Sequence, residues 1–128
     1  LMPFIHALDL ELTSPESVSI NETFEVAISS TESDKTYDVK IFVHDSEDEK
    51  ITRNEIISSI MNEKWQDSYL YIKDTYPSKN TFQIKIDSFS LNKLKICAQL
   101  REKDKTTIVA KTCNPLSIRL NGKGNIYK

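Results

Sequence analysis

The most informative segment of the chain reads Ile96-Cys97-Ala98-Gln99-Leu100, then the polar turn Glu102-Lys103-Asp104-Lys105, then Thr106-Thr107-Ile108-Val109-Ala110. Two β-like runs around a polar turn are typical of a hairpin. A symmetric hairpin centred near Lys105 puts Cys97 opposite Cys113, Gln99 opposite Lys111 and Arg101 opposite Val109. In the closer type of cross-strand pair, the Cβ atoms are near enough for a disulfide. The sequence therefore predicts a bond between Cys97 and Cys113, and two unpaired thiols on adjacent strands are the alternative.

Such a bond would close a loop of about fifteen residues and stabilise the fold by about 3 kcal/mol in the chain-entropy model. Disulfides persist in oxidising compartments, so we expect an extracellular or cell-surface location. The two histidines, His6 and His44, lie far from the cysteines in sequence, and no second cysteine pair exists. A structural zinc site is therefore not expected.

Outward from the hairpin, apolar and polar residues alternate in most of the chain. The clearest case is Tyr37, Val39, Ile41 and Val43, which alternate with polar or aromatic neighbours. The count is eight or nine short strands, with polar turns between them. Further predicted strands cover residues 5–12, 18–20, 24–28, 57–61, 65–73, 82–86, 94–100 and 116–120, with Ile108 and Ala110 pointing inward. This spacing is typical of an all-β, two-sheet antiparallel sandwich.

Composition limits the classes of function. The 128 residues suit one domain, and 17 basic against 19 acidic side chains give a net charge of -2. Without a concentrated basic face, nucleic acid is not expected as a partner. No apolar stretch approaches the roughly 20 residues that span a bilayer, so no membrane insertion is expected in this segment. Only two glycines are present, which leaves nothing for a glycine-rich phosphate loop.

Both glycines fall in Asn121-Gly122-Lys123-Gly124-Asn125. We therefore expect one domain over residues 1–120 and a flexible C-terminal tail or linker over 121–128. Because residue 1 is Leu, the chain is expected to be a processed product or a piece of a longer protein.

Three stretches resemble prokaryotic extracellular domains of the immunoglobulin/fibronectin III type: Ser14 to Val26, Tyr37 to Val43, and Ile96 to Arg101. The resemblance lies in strand and turn patterns and covers most of the chain. It departs from antibody domains because Cys97 and Cys113 would join neighbouring strands, and because Trp65 comes late for a core Trp. The resemblance implies an Ig-like or Fn3-like β-sandwich with an adhesive, spacer or filament-forming role.

Candidate chemistry is sparse. Hydrolysis needs a nucleophile beside an oriented base, and neither His6 nor His44 lies in such a motif. Both are expected to be surface or strand-end histidines. The acidic loop Asp45-Ser46-Glu47-Asp48-Glu49 offers oxygen ligands for Ca²⁺ but lacks the Gly and the Asp-x-Asp order of a dedicated loop. We expect no enzyme activity, no cofactor and no bound metal.

Two binding or modification sites are predicted. Trp65, Tyr69 and Tyr71, on one face of the predicted strand 65–73, are a candidate stacking platform for sugar rings or peptides. The alternative is that they fill the core or cover a sheet edge. Asn21-Glu22-Thr23 matches the glycosylation sequon at a predicted turn, so Asn21 is a candidate for modification if the protein is a secreted archaeal or eukaryotic one; a chance match is the alternative.

The segment Leu1 to Leu12 is apolar and alternates like a strand. It would either pair within its own domain or add to an open sheet edge of a neighbouring subunit. The predicted function is a non-enzymatic structural or interaction module of a cell-surface protein or filament, with other domains or subunits as partners. The alternative is an accessory carbohydrate-binding module of a secreted enzyme.

Overall fold

Two five-stranded β-sheets form the fold in the computed structural model, which describes residues 8–32, 34–45, 51–88 and 93–119. The prediction of an all-β chain is confirmed. Within the described ranges the strands are β1 (Glu11–Thr13), β2 (Ser17–Ser19), β3 (Phe24–Ser29), β4 (Tyr37–His44), β5 (Ser58–Asn62), β6 (Lys64–Asp67), β7 (Ile72–Thr75), β8 (Lys79–Ile86), β9 (Leu94–Glu102) and β10 (Ile108–Arg119). A single 3₁₀ turn, Arg53–Glu55, precedes β5 in this part of the chain.

The first sheet has the strand order β1-β3-β8-β5-β6, and the second sheet has the order β2-β10-β9-β4-β7. Strand β3 alternates between core and solvent as its sequence alternates: Phe24, Val26 and Ile28 are buried and Glu25 is exposed. The predicted strand 57–61 corresponds to β5 within one residue. In the described ranges, no helix has the length and apolarity needed to cross a bilayer.

The β9–β10 hairpin has the predicted register near the cysteines but not near the turn. Cys97 pairs with Cys113 and Gln99 with Lys111, whereas Arg101 pairs with Ile108 and not with Val109. The difference arises because a β-bulge between Ile108 and Ala110 inserts one extra residue. The predicted inward position of Ile108 is therefore wrong, and this side chain is 47% exposed.

One strand pair is parallel, so the prediction of two wholly antiparallel sheets is wrong in detail. Strand β2 runs parallel to β10, with Ser17 beside Ser117 and Val18 beside Ile118. The break at Pro15 separates β1 in the first sheet from β2 in the second, and residues 17–19 then run beside residues 117–119 of β10. The guanidinium of Arg119 donates hydrogen bonds to the carbonyl and hydroxyl oxygens of Ser17 at 3.0 and 2.7 Å.

The predicted single strand 65–73 is also wrong. Strand β6 ends at Asp67 in the first sheet, and β7 begins at Ile72 in the second. The Asp67 carboxylate accepts the backbone N–H of Tyr69 at 2.8 Å, and its carbonyl accepts that of Leu70 at 3.0 Å, which turns the chain. Buried Ser68 fixes this turn by donating its N–H to the carbonyl of Ser58.

Both sheets contribute side chains to one apolar core. Its fully buried members include Val26, Ile28, Ile60, Ile84 and Ile86 from the first sheet and Val39, Ile41, Val43, Ile96 and Leu100 from the second. Leu8, Leu10 and Leu12 pack against the same core, and β1 pairs with β3. Described residues 8–13 therefore pair within their own domain, whereas residues 1–7 and the predicted tail 121–128 lie outside the described residues.

Candidate functional site

The candidate site is the face of the second sheet that points away from the core, called here the outer face. Because successive strand residues point to opposite sides, Val39, Ile41 and Val43 enter the core while the residues between them do not. Strand register places the following residues on the outer face: Asp38, Lys40, Phe42 and His44 of β4; Cys97, Gln99 and Arg101 of β9; and Lys111 and Cys113 of β10.

Two tyrosines from the β6–β7 connection cover part of this face and enclose a lysine. The Nζ atom of Lys40 lies 4.3 Å from the ring centroid of Tyr69 and 4.8 Å from that of Tyr71. The guanidinium of Arg101 lies 3.8 Å from the Tyr71 centroid, and Nε2 of Gln99 donates a hydrogen bond of 2.5 Å to the Tyr71 hydroxyl. Lys40, Tyr69, Tyr71 and Arg101 are called the aromatic–cation cluster below.

The cluster carries excess positive charge. Burial lowers the pKa of Lys40, and the charges of Arg101 and Lys111 lower it further, while Asp67 acts in the opposite direction. Arg101 is paired with the buried carboxylate of Asp38 at 3.0 Å. Within the described ranges, Lys40 and Lys111 form no ion pair.

The predicted platform of Trp65, Tyr69 and Tyr71 is divided between two places. Trp65 lies half-buried on β6 in the first sheet, with Nζ of Lys85 4.5 Å from its ring centroid. Tyr69 and Tyr71 share Lys40 instead. Tyr69 is 36% exposed and its neighbour Leu70 is 44% exposed, so part of each side chain is accessible to a partner.

The cations of the cluster were missed by sequence reasoning. Lys40 is separated from Tyr71 by 31 positions and Arg101 by 30 in the printed sequence. The available signal was the alternation that puts Lys40 on the opposite side of β4 from Val39 and Ile41. That alternation identifies a face, but it does not identify the loop that covers the face.

The predicted disulfide is present: Cys97 and Cys113 are bonded, with their Cα atoms 4.1 Å apart. His44 lies beside this bond, and the three donor atoms of His44, Cys97 and Cys113 all lie within 4.8 Å of one another. His44 is at the end of β4 as expected, but it is not a surface histidine because only 4% of it is exposed. His6 lies outside the described residues.

Two other predicted features lie at turns. Asn21 is exposed between β2 and β3, at φ 63, a left-handed conformation that Asn tolerates. Its backbone N–H donates to the carbonyl of Ile86 at 3.0 Å. Glycosylation of Asn21 stays a prediction. In the acidic loop only Asp45 is described; its N–H donates to the Glu55 carbonyl, and residues 46–49 lie outside the described residues.

No protein-family model matches the sequence, and no curated protein matches it either.

Proposed function

We propose that this chain is a non-enzymatic, extracytoplasmic interaction module with an Ig-like or Fn3-like β-sandwich fold, part of a cell-surface protein or filament. The observation that carries the proposal is the half-exposed aromatic–cation cluster on a sheet that a disulfide fastens. Tyr and Arg are the residue types that most often dominate protein contacts, because they bury large surfaces and retain a polar group.

Strand order supports the Ig-like assignment. In the immunoglobulin constant-type arrangement, strands A, B, E and D form one sheet and C, F and G form the other. Taking β1, β3, β4, β5, β8, β9 and β10 as A to G reproduces both the sheet neighbours and the order along the chain. The additional strands are β2 beside β10, β6 beside β5, and β7 beside β4.

The disulfide supports the extracytoplasmic location, because such bonds form and persist in oxidising compartments. It joins the two longest strands of the second sheet, β9 and β10. The outer face is therefore built on strands that are both hydrogen-bonded and covalently joined. A contact surface on such a frame loses little conformational entropy when it binds.

The partner that fits the outer face is a neighbouring subunit or domain that presents acidic groups. Lys40 is flanked by two other cations, and a carboxylate placed among them would relieve their mutual repulsion. Tyr69 and Leu70 add exposed apolar area beside this charge. Strand addition through Leu1 to Leu12 is the other route of association that the sequence predicts, but the pairing of β1 with β3 and the packing of Leu8, Leu10 and Leu12 on their own core argue against it.

The alternative is a carbohydrate-binding accessory module of a secreted enzyme. The exposed side of Tyr69 favours it, because the apolar face of a sugar ring stacks on an aromatic ring. The cations already held against Tyr69 and Tyr71 favour protein contact instead, since they occupy ring faces that a sugar would use.

Sedimentation velocity over a range of concentrations tests the proposal. We expect self-association that Tyr69→Ala weakens at least tenfold and that added salt also weakens. Tyr76→Ala is the matched control, because Tyr76 is 53% exposed outside the cluster and its loss should change nothing. A monomer at every concentration that binds an oligosaccharide array through Tyr69 would favour the carbohydrate alternative. A monomer that binds no oligosaccharide contradicts both self-association through the outer face and the carbohydrate alternative.

A further inference from the structure

Three adjacent strands bring two sulfur atoms and an imidazole together on the outer face. In the order β10-β9-β4, Cys113 pairs with Cys97, and Cys97 pairs with Phe42. His44 lies two residues beyond Phe42, on the same side of β4, and is therefore a diagonal neighbour of Cys97. Diagonal neighbours on a sheet are roughly 7–8 Å apart at the backbone, within reach of a long or aromatic side chain.

The side chains of these three residues point toward one another, so their donor atoms are closer together than their backbones. The donor atoms of His44, Cys97 and Cys113 all lie within 4.8 Å of one another. Two ligands of one tetrahedral Zn²⁺ ion are separated by roughly 3–4 Å, given Zn–S and Zn–N bonds of about 2.3 and 2.0 Å. After reduction the two sulfur atoms must move apart to that separation, while the imidazole already lies within 4.8 Å of both, and all three residues lie on paired strands and not on loops.

In the observed state the sulfur atoms are bonded to each other and cannot act as thiolate ligands. We propose that reduction of the Cys97–Cys113 bond converts this trio into a binding site for a thiophilic divalent cation such as Zn²⁺. The ligands would be two cysteine thiolates and the His44 imidazole, with a fourth position left for water or another ligand. The trio lies on the same outer face as the proposed contact surface, but the inference needs only the positions of these three residues and does not rest on the proposed function.

The chemistry balances with a dithiol as the reductant. The dithiol transfers two electrons and two protons to the S–S bond, leaves as its own disulfide, and yields the thiols of Cys97 and Cys113. Binding of the cation then releases those two protons to solvent as both thiolates ligate. Strands β9 and β10 would thus be linked either by the disulfide or by the bound ion. The ion would also link β4 to both strands through His44.

The donor set selects the class of ion. Two thiolates and an imidazole suit Zn²⁺ and similar soft or borderline cations. The trio contains no carboxylate, whereas Ca²⁺ and Mg²⁺ take oxygen ligands. His44 is 4% exposed and Cys97 is fully buried, whereas Cys113 is accessible to solvent, so the ion would be shielded on the side of β4 and β9 and open to water beside Cys113. We therefore expect Zn²⁺ and its spectroscopic substitute Co²⁺ to bind, and Mg²⁺ not to compete.

The test compares the full chain in two redox states. A trialkylphosphine reduces the disulfide, taking up oxygen from water to become the phosphine oxide, and is then removed without air. Co²⁺ is added, and thiolate-to-Co²⁺ charge-transfer absorption reports binding, while native mass spectrometry counts Zn²⁺ ions. We expect one ion for the reduced chain, none for the oxidised chain, and none for the variant carrying both Cys97→Ser and Cys113→Ser.

Two histidine variants distinguish metal binding by all three residues from metal binding by the two cysteine thiols alone. His44→Phe should weaken the affinity of the reduced chain for Zn²⁺ at least tenfold and change the Co²⁺ spectrum. His6→Phe, at the only other histidine of the chain, should leave both unchanged. Equal affinity of the reduced wild type and His44→Phe overturns the proposal, as does a reduced chain that binds no ion.

If reduction unfolds the chain, circular dichroism can measure whether Zn²⁺ refolds it. If Zn²⁺ then restores the β spectrum of the wild type but not of His44→Phe, the proposal is supported. If Zn²⁺ restores neither chain, or both equally, the proposal is overturned.

Discussion

Among single residues, Asp38 shows most clearly how this chain uses a buried charge. Its side chain is fully buried on the outer face of β4. It accepts hydrogen bonds from Nε of Arg101 at 3.0 Å and from the backbone N–H of Asp104 at 3.2 Å, and Lys73 lies 3.4 Å away. Burial raises the pKa of Asp38, but these three partners together outweigh burial and hold the pKa below its ordinary value of 3.8.

The first prediction concerns this carboxylate. Asp38→Asn should lower the free energy of unfolding at pH 7 by about 2–3 kcal/mol, because Arg101 loses a charge-assisted hydrogen bond. Since the folded pKa is lowered, Asp38 stabilises the wild type above about pH 4, and this contribution is lost as the pH falls through the folded pKa. Urea unfolding from pH 7 down to pH 2 should show this acid dependence reduced in the variant.

Asp104→Asn is the control for that experiment. It removes a carboxylate of the same network that is 71% exposed and contacts Lys73. Its effect should stay within about 0.5 kcal/mol, as for most surface substitutions. Equal losses in the two variants would contradict the importance assigned to Asp38.

The second prediction concerns the disulfide. Cys97 and Cys113 are separated by 16 positions, and opening a loop of that size should cost about 3 kcal/mol. Reduction of the wild type and the double substitution Cys97→Ser with Cys113→Ser should therefore lower the melting temperature by similar amounts. Reductant should not change the melting temperature of the variant. A thiol titration that finds two free thiols in the unfolded, non-reduced wild type would show that the bond is absent.

Among the elements, β1 shows whether the N-terminal segment pairs within its own domain or adds to a sheet of a neighbouring subunit. It pairs with β3 through Glu11–Ser29, Leu12–Ile28 and Thr13–Ala27. Leu8, Leu10 and Leu12 pack against the core of the same chain, and the N–H of Leu8 donates to the carbonyl of Val109. These contacts favour pairing within the domain.

The third prediction tests this pairing. Deleting residues 1–12 should lower the free energy of unfolding by about 2–4 kcal/mol, because three partly buried leucines are lost. The deletion should not abolish the self-association attributed to Tyr69. Leu12→Ala should reproduce part of the destabilisation, whereas Glu11→Ala, at the adjacent and exposed position, should not. Light scattering that shows oligomers vanishing on deletion, with a folded remainder, would favour strand addition instead.

For the whole molecule, we expect the two sheets to unfold as one unit because they share one core. Ile84 of the first sheet and Ile96 of the second are both fully buried in the same cluster. Trp65 lies in the first sheet and provides a local fluorescence signal. Coupling between the sheets can therefore be measured by substituting a core residue of the second sheet and following the fluorescence of Trp65 in the first.

The fourth prediction uses that arrangement. Ile84→Ala and Ile96→Ala should each cost about 2–5 kcal/mol, because each leaves a cavity in a packed core. Trp65 fluorescence and far-ultraviolet circular dichroism should shift together in both variants. Ile108→Ala, at a side chain that is 47% exposed, should have little effect. If Ile96→Ala moved the circular dichroism transition and not the fluorescence transition, the sheets would not share a cooperative core.

Local patterns in the sequence were sufficient for the β content, for most strands and for the disulfide. Alternation with period two marks each buried face, and the residue count across the Glu102–Lys105 turn pairs Cys97 with Cys113. Tyr69 and Tyr71 were also grouped together from the sequence, and in the structure both rings lie beside Lys40. These features depend on residues that are close along the chain, so their physical causes are visible in the sequence itself.

The tertiary structure alone decided which strands share a sheet and what covers the outer face. The division of residues 65–73 between two sheets, the parallel pairing of β2 with β10, and the burial of His44 all depend on distant segments. So does the placement of Lys40 between Tyr69 and Tyr71. Alternation in the sequence shows which residues share a side of a strand. Which segment packs against that side depends on the packing of the whole molecule.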